Sequence, residues 1–293
     1  MIYRHPRWMR AALSACLLFA SSSVMAQEDR ITAELERIEQ TLEARIGFAA
    51  HNLATSQRWE VNADERFAMS STFKTLACGA LLEQVDEGQL ALETEVSFEE
   101  SDLVTYSPVT EQYAGHRPMT LFELCDATMT TSDNTAANLV LQALGGPEAV
   151  TAFARSMDDP VTRLDRFETE LNEATPGDER DTTTPNAMLA TLEKLVLGDV
   201  LSDESRQQLE AWMKGNAVAD SLFRAAMPFD WVIADRTGAG GYGSRSITAI
   251  IWPPEQAPTV VVFYITETDA SFKERNAAIA SLGEVVQDVL ADN

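Results

Sequence analysis

The sequence of 293 residues predicts an α/β fold of the α+β kind, with one antiparallel five-stranded sheet flanked by helices and an inserted all-helical domain. Strand-like segments lie near both ends of the chain, whereas the middle shows the spacing of helices. A helical segment between two groups of strands is most simply an insertion into one sheet that both ends build. The terminal helices are then expected to cover that sheet.

The elements are predicted in chain order from apolar spacing and from turn residues. Apolar residues at helical spacing predict a first helix over 28–45, and a hairpin with strands over 46–53 and 58–61 follows. Ser70 is predicted to cap a helix over 71–86. The other helices are predicted over 119–129, 134–144, 147–156, 184–197, 202–214 and 271–290, and the other strands over 231–235, 246–252 and 259–266.

These elements predict a division of the chain into three parts. Residues 1–26 form a signal peptide, residues 27–62 and 214–293 form the sheet domain, and residues 63–213 form the inserted helical domain. The helical domain includes a long polar loop over 163–181 without periodicity, and such loops in compact proteins are usually functional. Active sites commonly lie in the cleft between two such parts.

The signal peptide is predicted from the first residues of the chain. Three arginines precede an apolar run over 11–20, and Val24-x-Ala26 has the small-residue spacing of a cleavage site. The apolar run is too short to span a bilayer. The alternative, lipid attachment at Cys16, is disfavoured because so few apolar residues precede it. We expect a periplasmic or secreted protein with no membrane attachment after the signal has been removed.

The charge of the chain limits its partners. It has 22 Lys and Arg against 46 Asp and Glu, which gives a formal net charge of −24 at pH 7. Such a surface repels nucleic acid and anionic lipid, so we expect neither as a partner. We also expect a monomer, because nothing in the sequence demands a larger assembly. The charge indicates either an ordinary solvated protein or adaptation to high salt, where counterions screen self-repulsion.

Histidine and cysteine usage excludes several chemistries. After residue 26 the histidines are His51 and His116, and neither has the spacing of a metal-ligand set or of a Ser-His-Asp triad. We therefore expect no metal and no cofactor, and proton transfers through Lys, Glu or Ser. Cys78 and Cys125 predict either one disulfide or two buried free thiols.

Two motifs in the first half of the chain bear reactive groups. In Ser71-Thr72-Phe73-Lys74 the hydroxyl and the ammonium share one helix face, so a Lys with a lowered pKa is able to accept the Ser proton. Ser132-Asp133-Asn134 precedes a predicted helix and directs Ser132 and Asn134 the same way. Taken alone, each motif is better explained by an ordinary helix start.

Two motifs in the second half would complete a site. Glu168 with Asn172 is able to hold one water between a carboxylate and an amide, as a general base for hydrolysis requires. Arg236-Thr237-Gly238, with Arg245 as a second cation, is suited to binding a carboxylate, and its glycine permits close backbone approach. The alternative is an ordinary strand end before a turn.

Together these motifs carry a family resemblance. Ser71-x-x-Lys74, Ser132-Asp133-Asn134 and Arg236-Thr237-Gly238 resemble the S-x-x-K, S-D-N and K-T-G elements of penicillin-recognising enzymes. Glu168 with Asn172 resembles the signature of class A serine β-lactamases. The chain after residue 26 is thus similar to that family, and the resemblance implies the two-part serine β-lactamase/penicillin-binding fold and small-molecule β-lactam substrates.

The resemblance also implies roles for individual residues. Ser71 would be the acylated nucleophile and Lys74 a nearby base, although whether Lys74 or Glu168 accepts the Ser proton stays open. For catalysis, the resemblance implies that Ser132 relays a proton, that Glu168 and Asn172 bind the hydrolytic water, and that the backbone N–H groups of Ser71 and Ala239 form an oxyanion hole. For substrate binding, it implies that Asn134 binds the side-chain amide, that Tyr106 forms a cleft wall, and that the substrate carboxylate is bound by Arg236, Thr237, Gly238 and Arg245. An ion pair between Arg166 and Asp181 would fix the loop.

Arg236 departs from the family, which usually has Lys there. Arg does not exchange protons near neutral pH but binds carboxylates through two donors. This Arg resembles the carbenicillin-hydrolysing subgroup, which implies turnover of penicillins including carboxypenicillins. The rival functions are a penicillin-binding transpeptidase or carboxypeptidase, a penicillin sensor and an inactive homologue; Glu168 with Asn172 argues against the first.

Overall fold

The computed structural model describes residues 30–292 and contains the predicted five-stranded antiparallel sheet. The strand order is β2-β1-β9-β8-β7. These strands are β1 (Arg45–Asn52), β2 (Gln57–Val61), β7 (Val232–Ala239), β8 (Arg245–Trp252) and β9 (Thr259–Thr266), and short strands that were not predicted are β3 (Phe67–Ala68), β4 (Glu95–Val96), β5 (Met119–Thr120) and β6 (Thr182–Thr183). The predicted signal peptide, residues 1–26, lies outside the described residues.

The predicted helices are also confirmed. They are α1 (30–42 within the described residues), α2 (Phe73–Asp86), α3 (Leu121–Thr130), α4 (Asn134–Leu144), α5 (Pro147–Ser156), α6 (Pro185–Leu192), α7 (Asp203–Lys214) and α8 (Phe272–Ala291). A π-helical turn, Glu193–Leu197, continues α6. Between residues 30 and 292 no helix is long and apolar enough to cross a bilayer.

The start of α2 corrects one prediction. Ser70 does not cap the helix, because a 3₁₀ turn over Ser70–Thr72 precedes α2 and no side chain caps that turn. Ser70 has a φ of 43°, in the left-handed region. The turn replaces the expected first helical turn and carries Ser71.

β9 lies at the centre of the sheet, and its apolar run reflects burial on both faces. Val260, Val262 and Tyr264 belong to the core shared with the helical part of the chain. Val261 and Phe263 belong to the core beneath α1 and α8 on the opposite face. The terminal helices therefore cover one face, as predicted, and the helical part covers the other. The proposed domain boundaries stay a prediction.

Cys78 and Cys125 form a disulfide between α2 and α3, with a Cα–Cα distance of 5.9 Å. The structure thus decides between the two alternatives that the sequence left open. The bond fastens together two helices of the core next to the predicted nucleophile.

Candidate active site

A cleft of about 490 Å³ lies between the end of β7 and the helical part of the chain. It brings together most of the residues that the motifs singled out. The predicted residues that line it are Ser71, Tyr106, Ser132, Asn134, Asn172, Thr237, Gly238, Ala239 and Arg245, and four lining residues that the motifs missed are Val218, Ser221, Phe272 and Asn276. Lys74, Glu168 and Arg236 are buried behind this lining.

Ser71 is held at the cleft by tight packing of its turn against β7. A Cβ atom on Gly238 would come within 2.9 Å of the Met69 carbonyl oxygen and 3.0 Å of the Ser70 Cβ. Only glycine permits this approach, which explains the glycine of the Arg-Thr-Gly motif. Ser71 is 8% exposed, so its hydroxyl reaches the cleft while the turn is buried.

Lys74 lies at the centre of the polar groups beneath the cleft. Its Nζ donates to Asn134 Oδ1 at 2.7 Å and to the carbonyl oxygen and Oγ of Ser132 at 3.0 and 3.3 Å, and it lies 3.2 Å from Glu168 Oε1. Burial lowers the pKa of Lys74 to about 8, with the Glu168 carboxylate opposing the shift and the Arg236 guanidinium adding to it.

The Ser-Asp-Asn motif fixes the wall of the cleft. Asp133 is fully buried and caps α4 by accepting from the Ala136 N–H at 2.8 Å. Its carboxylate also accepts from the Thr110 N–H at 2.9 Å, which ties the preceding loop to the helix. The Asn134 backbone N–H donates to the Tyr106 carbonyl at 3.0 Å. These bonds place Tyr106, 55% exposed, on the cleft rim.

Glu168 is buried in the 163–181 loop and is clamped by Asn138 of α4. The Glu168 N–H donates to Asn138 Oδ1 and the Asn138 amide donates to the Glu168 carbonyl, both at 2.8 Å. The Asn172 amide donates to Glu168 Oε2. Among the described residues, buried Asn172 Oδ1 has no hydrogen-bond partner. No sequence motif assigned a role to Asn138, although it lies one helical turn after Asn134.

The predicted ion pair of this loop is confirmed. Arg166 Nε lies 2.6 Å from Asp181 Oδ2, and the carboxylate of Asp181 is 1% exposed. The Asp181 carbonyl in turn accepts from the Met69 N–H at 3.0 Å. The loop that carries Glu168 is therefore anchored directly to the turn that carries Ser71.

Arg236 lies deeper than the sequence suggested. It is fully buried and donates from Nη2 to Ser132 Oγ at 2.6 Å, while Nε and Nη1 have no hydrogen-bond partner among residues 30–292. Burial lowers the pKa of Arg236 to about 10, which still leaves the guanidinium charged at neutral pH. Arg236 stands behind Ser132 and does not line the cleft, whereas Thr237 and Arg245 do.

Arg245, the first residue of β8, lines the cleft beside Phe272 and Asn276. Its Nη1 donates to the Gly238 carbonyl at 2.8 Å, its Nε donates to Asn276 Oδ1 at 2.7 Å, and its guanidinium lies 4.9 Å from the centre of the Phe272 ring. These contacts orient the cation toward β7. Burial lowers the pKa of Arg245 to about 10, so it too is charged at neutral pH.

Between residues 30 and 292, no group of three or more His, Cys, Asp or Glu side chains is arranged to hold a metal ion. The cleft and the buried groups behind it combine a serine hydroxyl, an amine of lowered pKa, a buried carboxylate and two guanidinium groups. Such a set is suited to acyl transfer followed by hydrolysis.

Comparison with known proteins places the chain in one family. The sequence model of the β-lactamase enzyme family matches residues 29–290. The chain is similar to the β-lactamase CARB-3 of Pseudomonas aeruginosa, at 47% identity over 93% of each protein. It is also similar to the β-lactamase AER-1 of Aeromonas hydrophila, at 51% identity over 86% of this chain and 83% of that protein.

Solved structures agree with these relatives. An ancestral class A β-lactamase matches with a TM-score of 0.86 and 51% identity, covering 88% of this chain and 99% of that one. The chromosome-encoded β-lactamase of Vibrio parahaemolyticus matches with a TM-score of 0.87 and 46% identity, covering 90% and 100%. On the combined evidence of fold, cleft and relatives, this chain belongs to the class A β-lactamases.

Proposed function

We propose that the chain opens the β-lactam ring of penicillins, including carboxypenicillins, through an acyl-enzyme on Ser71 that a water activated by Glu168 then hydrolyses. The ring-opened product no longer acylates its targets, so the reaction gives antibiotic resistance. We further propose that the protein works as a monomer in the periplasm or outside the cell, without a cofactor.

The observation that carries this proposal is an unbroken line of polar contacts beneath the cleft. Ser132 Oγ donates to Ser71 Oγ at 3.3 Å, Lys74 Nζ contacts Ser132 Oγ at 3.3 Å, and Lys74 Nζ lies 3.2 Å from Glu168 Oε1. A proton that leaves Ser71 therefore has a short route to Lys74 or Glu168. The Ser132 hydroxyl also provides a route by which a proton would reach the β-lactam nitrogen when the C–N bond breaks.

In the acylation step, Ser71 Oγ attacks the carbonyl carbon of the ring and loses its proton to Lys74 or, alternatively, to Glu168. The backbone N–H groups of Ser71 and Ala239, whose residues both line the cleft, would stabilise the oxyanion. Each such donor is typically worth about 2.7–4 kcal/mol of barrier. The C–N bond then breaks, and Ser132 transfers a proton to the nitrogen.

In the deacylation step, Glu168 and Asn172 hold the attacking water. Glu168 takes a proton from the water, the resulting hydroxide attacks the ester, and Ser71 leaves as the alcohol after its oxygen regains a proton. Asn138 supports this role, because its two hydrogen bonds fix the backbone of Glu168. Asn172 Oδ1 is buried and has no hydrogen-bond partner within residues 30–292, so it is suited to accept the second hydrogen of that water.

Substrate recognition would use the cations of the cleft. Thr237 and Arg245 would contact the ring carboxylate, and the buried Arg236 would add positive potential from behind Ser132. Asn134 would bind the side-chain amide. The extension to carboxypenicillins depends on the resemblance of Arg236-Thr237-Gly238 to the carbenicillin-hydrolysing subgroup.

Benzylpenicillin hydrolysis by the purified chain, with Glu168→Gln alongside, tests the proposal. We expect multiple turnover by the parent protein, and accumulation of an acyl-enzyme on Ser71 in the variant because a general base typically contributes about 10²–10⁴-fold. Mass spectrometry of the stalled variant locates the adduct, and Ser71→Ala is the control. A single stoichiometric burst by the parent would contradict the proposal and indicate a penicillin-binding or sensing protein.

A further inference from the structure

A second cavity, of about 970 Å³, lies apart from the catalytic cleft and shares no lining residue with it. Its walls come from the end of α1, the start of α8 and the segment after β9, and it is closed on one side by Pro176 and Tyr242. The volume is in the range of cavities that bind small molecules. Nothing in the proposed reaction uses this cavity.

The walls of the cavity combine apolar surface with negative charge. Ile38, Leu42 and the Tyr242 ring, 54% exposed, supply apolar surface. The charged lining residues are four carboxylates, Glu43, Glu267, Asp269 and Glu274, and one guanidinium, Arg37.

Most of these charges have partners in the described part of the chain, and two of the carboxylates have none there. The Arg37 guanidinium donates two hydrogen bonds to the Glu34 carboxylate, at 2.7 and 2.6 Å. Glu267 binds Arg45 at 2.6 Å. Within residues 30–292, Glu43 and Asp269 form neither an ion pair nor a side-chain hydrogen bond. The cavity therefore presents uncompensated negative charge beside apolar surface, and it repels an anionic β-lactam.

Tyr242, on the cavity wall, is connected by backbone contacts to Asn172, which is proposed to hold the hydrolytic water with Glu168. The Tyr242 carbonyl accepts from the Thr268 N–H at 3.3 Å inside the cavity, and the adjacent Gly241 N–H donates to the Asn172 carbonyl at 2.8 Å. A Cβ on Gly241 would come within 2.3 Å of the Glu173 carbonyl oxygen, so the two segments are in tight contact. Tyr242 therefore lies one residue away from a direct backbone contact with Asn172, whose amide holds Glu168.

We propose that this cavity binds an organic ammonium cation with an apolar body, and that its occupancy changes the rate of deacylation through Tyr242, Gly241 and Asn172. The apolar walls would take the body of the ligand. Glu43 and Asp269 would attract the cation, and the Tyr242 ring provides a face for a cation–π contact. The effect on deacylation rests on the proposed function, whereas the binding does not.

Binding is tested with benzyltrimethylammonium as the probe, with benzyl alcohol and benzoate as neutral and anionic comparisons. Amide chemical shifts of the ¹⁵N-labelled protein without substrate are expected to move at Tyr242, Asp269 and Ala270 with the cation, and not with benzoate.

Glu43→Gln/Asp269→Asn is expected to weaken binding about three- to tenfold, since each is an exposed charge contact. Glu36→Gln/Glu284→Gln removes the same charge from exposed positions of α1 and α8 outside the cavity and is expected to leave binding unchanged. Equal binding of all three probes, or equal losses in both double variants, would overturn the site.

The coupling is tested with the same probe at saturation. We expect the deacylation rate of benzylpenicillin to change at least twofold in the parent protein. In Glu43→Gln/Asp269→Asn, which leaves the catalytic residues intact, the probe concentration that gives half of this change is expected to rise about three- to tenfold. An unchanged rate at full occupancy would overturn the coupling. Failure of the Ser71 acyl-enzyme proposal would leave the chemical-shift result untouched, so the two failures are distinguishable.

Discussion

The ion pair between Arg166 and Asp181 fastens the 163–181 loop, and a substitution at Asp181 measures how burial sets the strength of a charge contact. Asp181 accepts from Arg166 Nε at 2.6 Å and from the backbone N–H groups of Asp165 and Arg166 at 2.8 and 3.0 Å. Asp181→Asn keeps the shape but removes the charge. Breaking a fully buried pair from one side costs about 3–5 kcal/mol. Because the Arg166 side chain is 16% exposed and retains Glu173, we expect a loss of about 2–3 kcal/mol in the free energy of unfolding.

For a domain of this size that loss corresponds to a fall in Tm of about 4–10 °C, measurable by calorimetry. Deacylation is expected to slow more than acylation, because Glu168 and Asn172 lie on the loop whereas Ser71 does not; stopped-flow bursts separate the two rates. The matched control is Asp178→Asn, which removes a carboxylate of the same loop whose partner, Arg180, is 49% exposed. We expect it to change Tm by less than about 2 °C. Equal shifts for both variants, or deacylation unchanged in Asp181→Asn, would refute the reasoning.

Three further predictions follow from the charges and the disulfide. Because the pKa of Lys74 is lowered to about 8, the neutral amine becomes more abundant as the pH rises. If Lys74 accepts the Ser71 proton, the acylation rate measured by rapid mixing is expected to rise about eightfold between about pH 7 and about pH 8.5. A flat pH profile would instead identify Glu168 as the base. Cys78→Ala/Cys125→Ala opens a loop with a sequence separation of 47 and is expected to lower the free energy of unfolding by roughly 4 kcal/mol in urea titrations, so an unchanged midpoint would contradict it. Arg236→Lys is expected to lower kcat/KM for carbenicillin relative to benzylpenicillin, and an increase in that ratio would show that the subgroup assignment is wrong.

The ends of helices were predictable wherever local side chains determine them. α4 begins and ends as predicted, because Asp133 caps its first turn and Gly145, with a φ of 98°, ends it. α5 also has its predicted bounds, with Pro147 at its first position. These signals lie within a few residues of the backbone groups that they satisfy, so the sequence shows them directly.

The end of β7 was not predictable from local sequence. A strand was predicted over 231–235, because Gly238 and the glycines after it are typical of a turn. In the structure, Arg236–Ala239 continue the strand by pairing with residues 245–248 of β8. Pairing with another strand overrides the local preference, and that partner is identified only by the register of the sheet.

The motifs predicted the reactive groups of the cleft but not their depth. Ser71, Ser132 and Asn134 line the cleft as expected, whereas Arg236 lies behind Ser132. Depth depends on how β7 packs against the turn before α2, which no motif encodes. Wall residues such as Val218 carry no reactive group, so no sequence pattern singled them out.

The buried cations explain how so acidic a protein accommodates an anionic substrate. A net charge of −24 repels anions at long range, but salt screens that repulsion over about 8–10 Å. Inside the cleft, Arg236 and Arg245 stay charged although burial lowers the pKa of each to about 10. Arg236 also keeps two guanidinium nitrogens without hydrogen-bond partners among the described residues, although the carboxylates of Asp235 and Glu168 lie close enough to offset part of its charge. Because desolvated charges act through a lower dielectric than surface charges do, these two guanidinium groups are expected to outweigh the distant surface carboxylates where the proposed function places the substrate carboxylate.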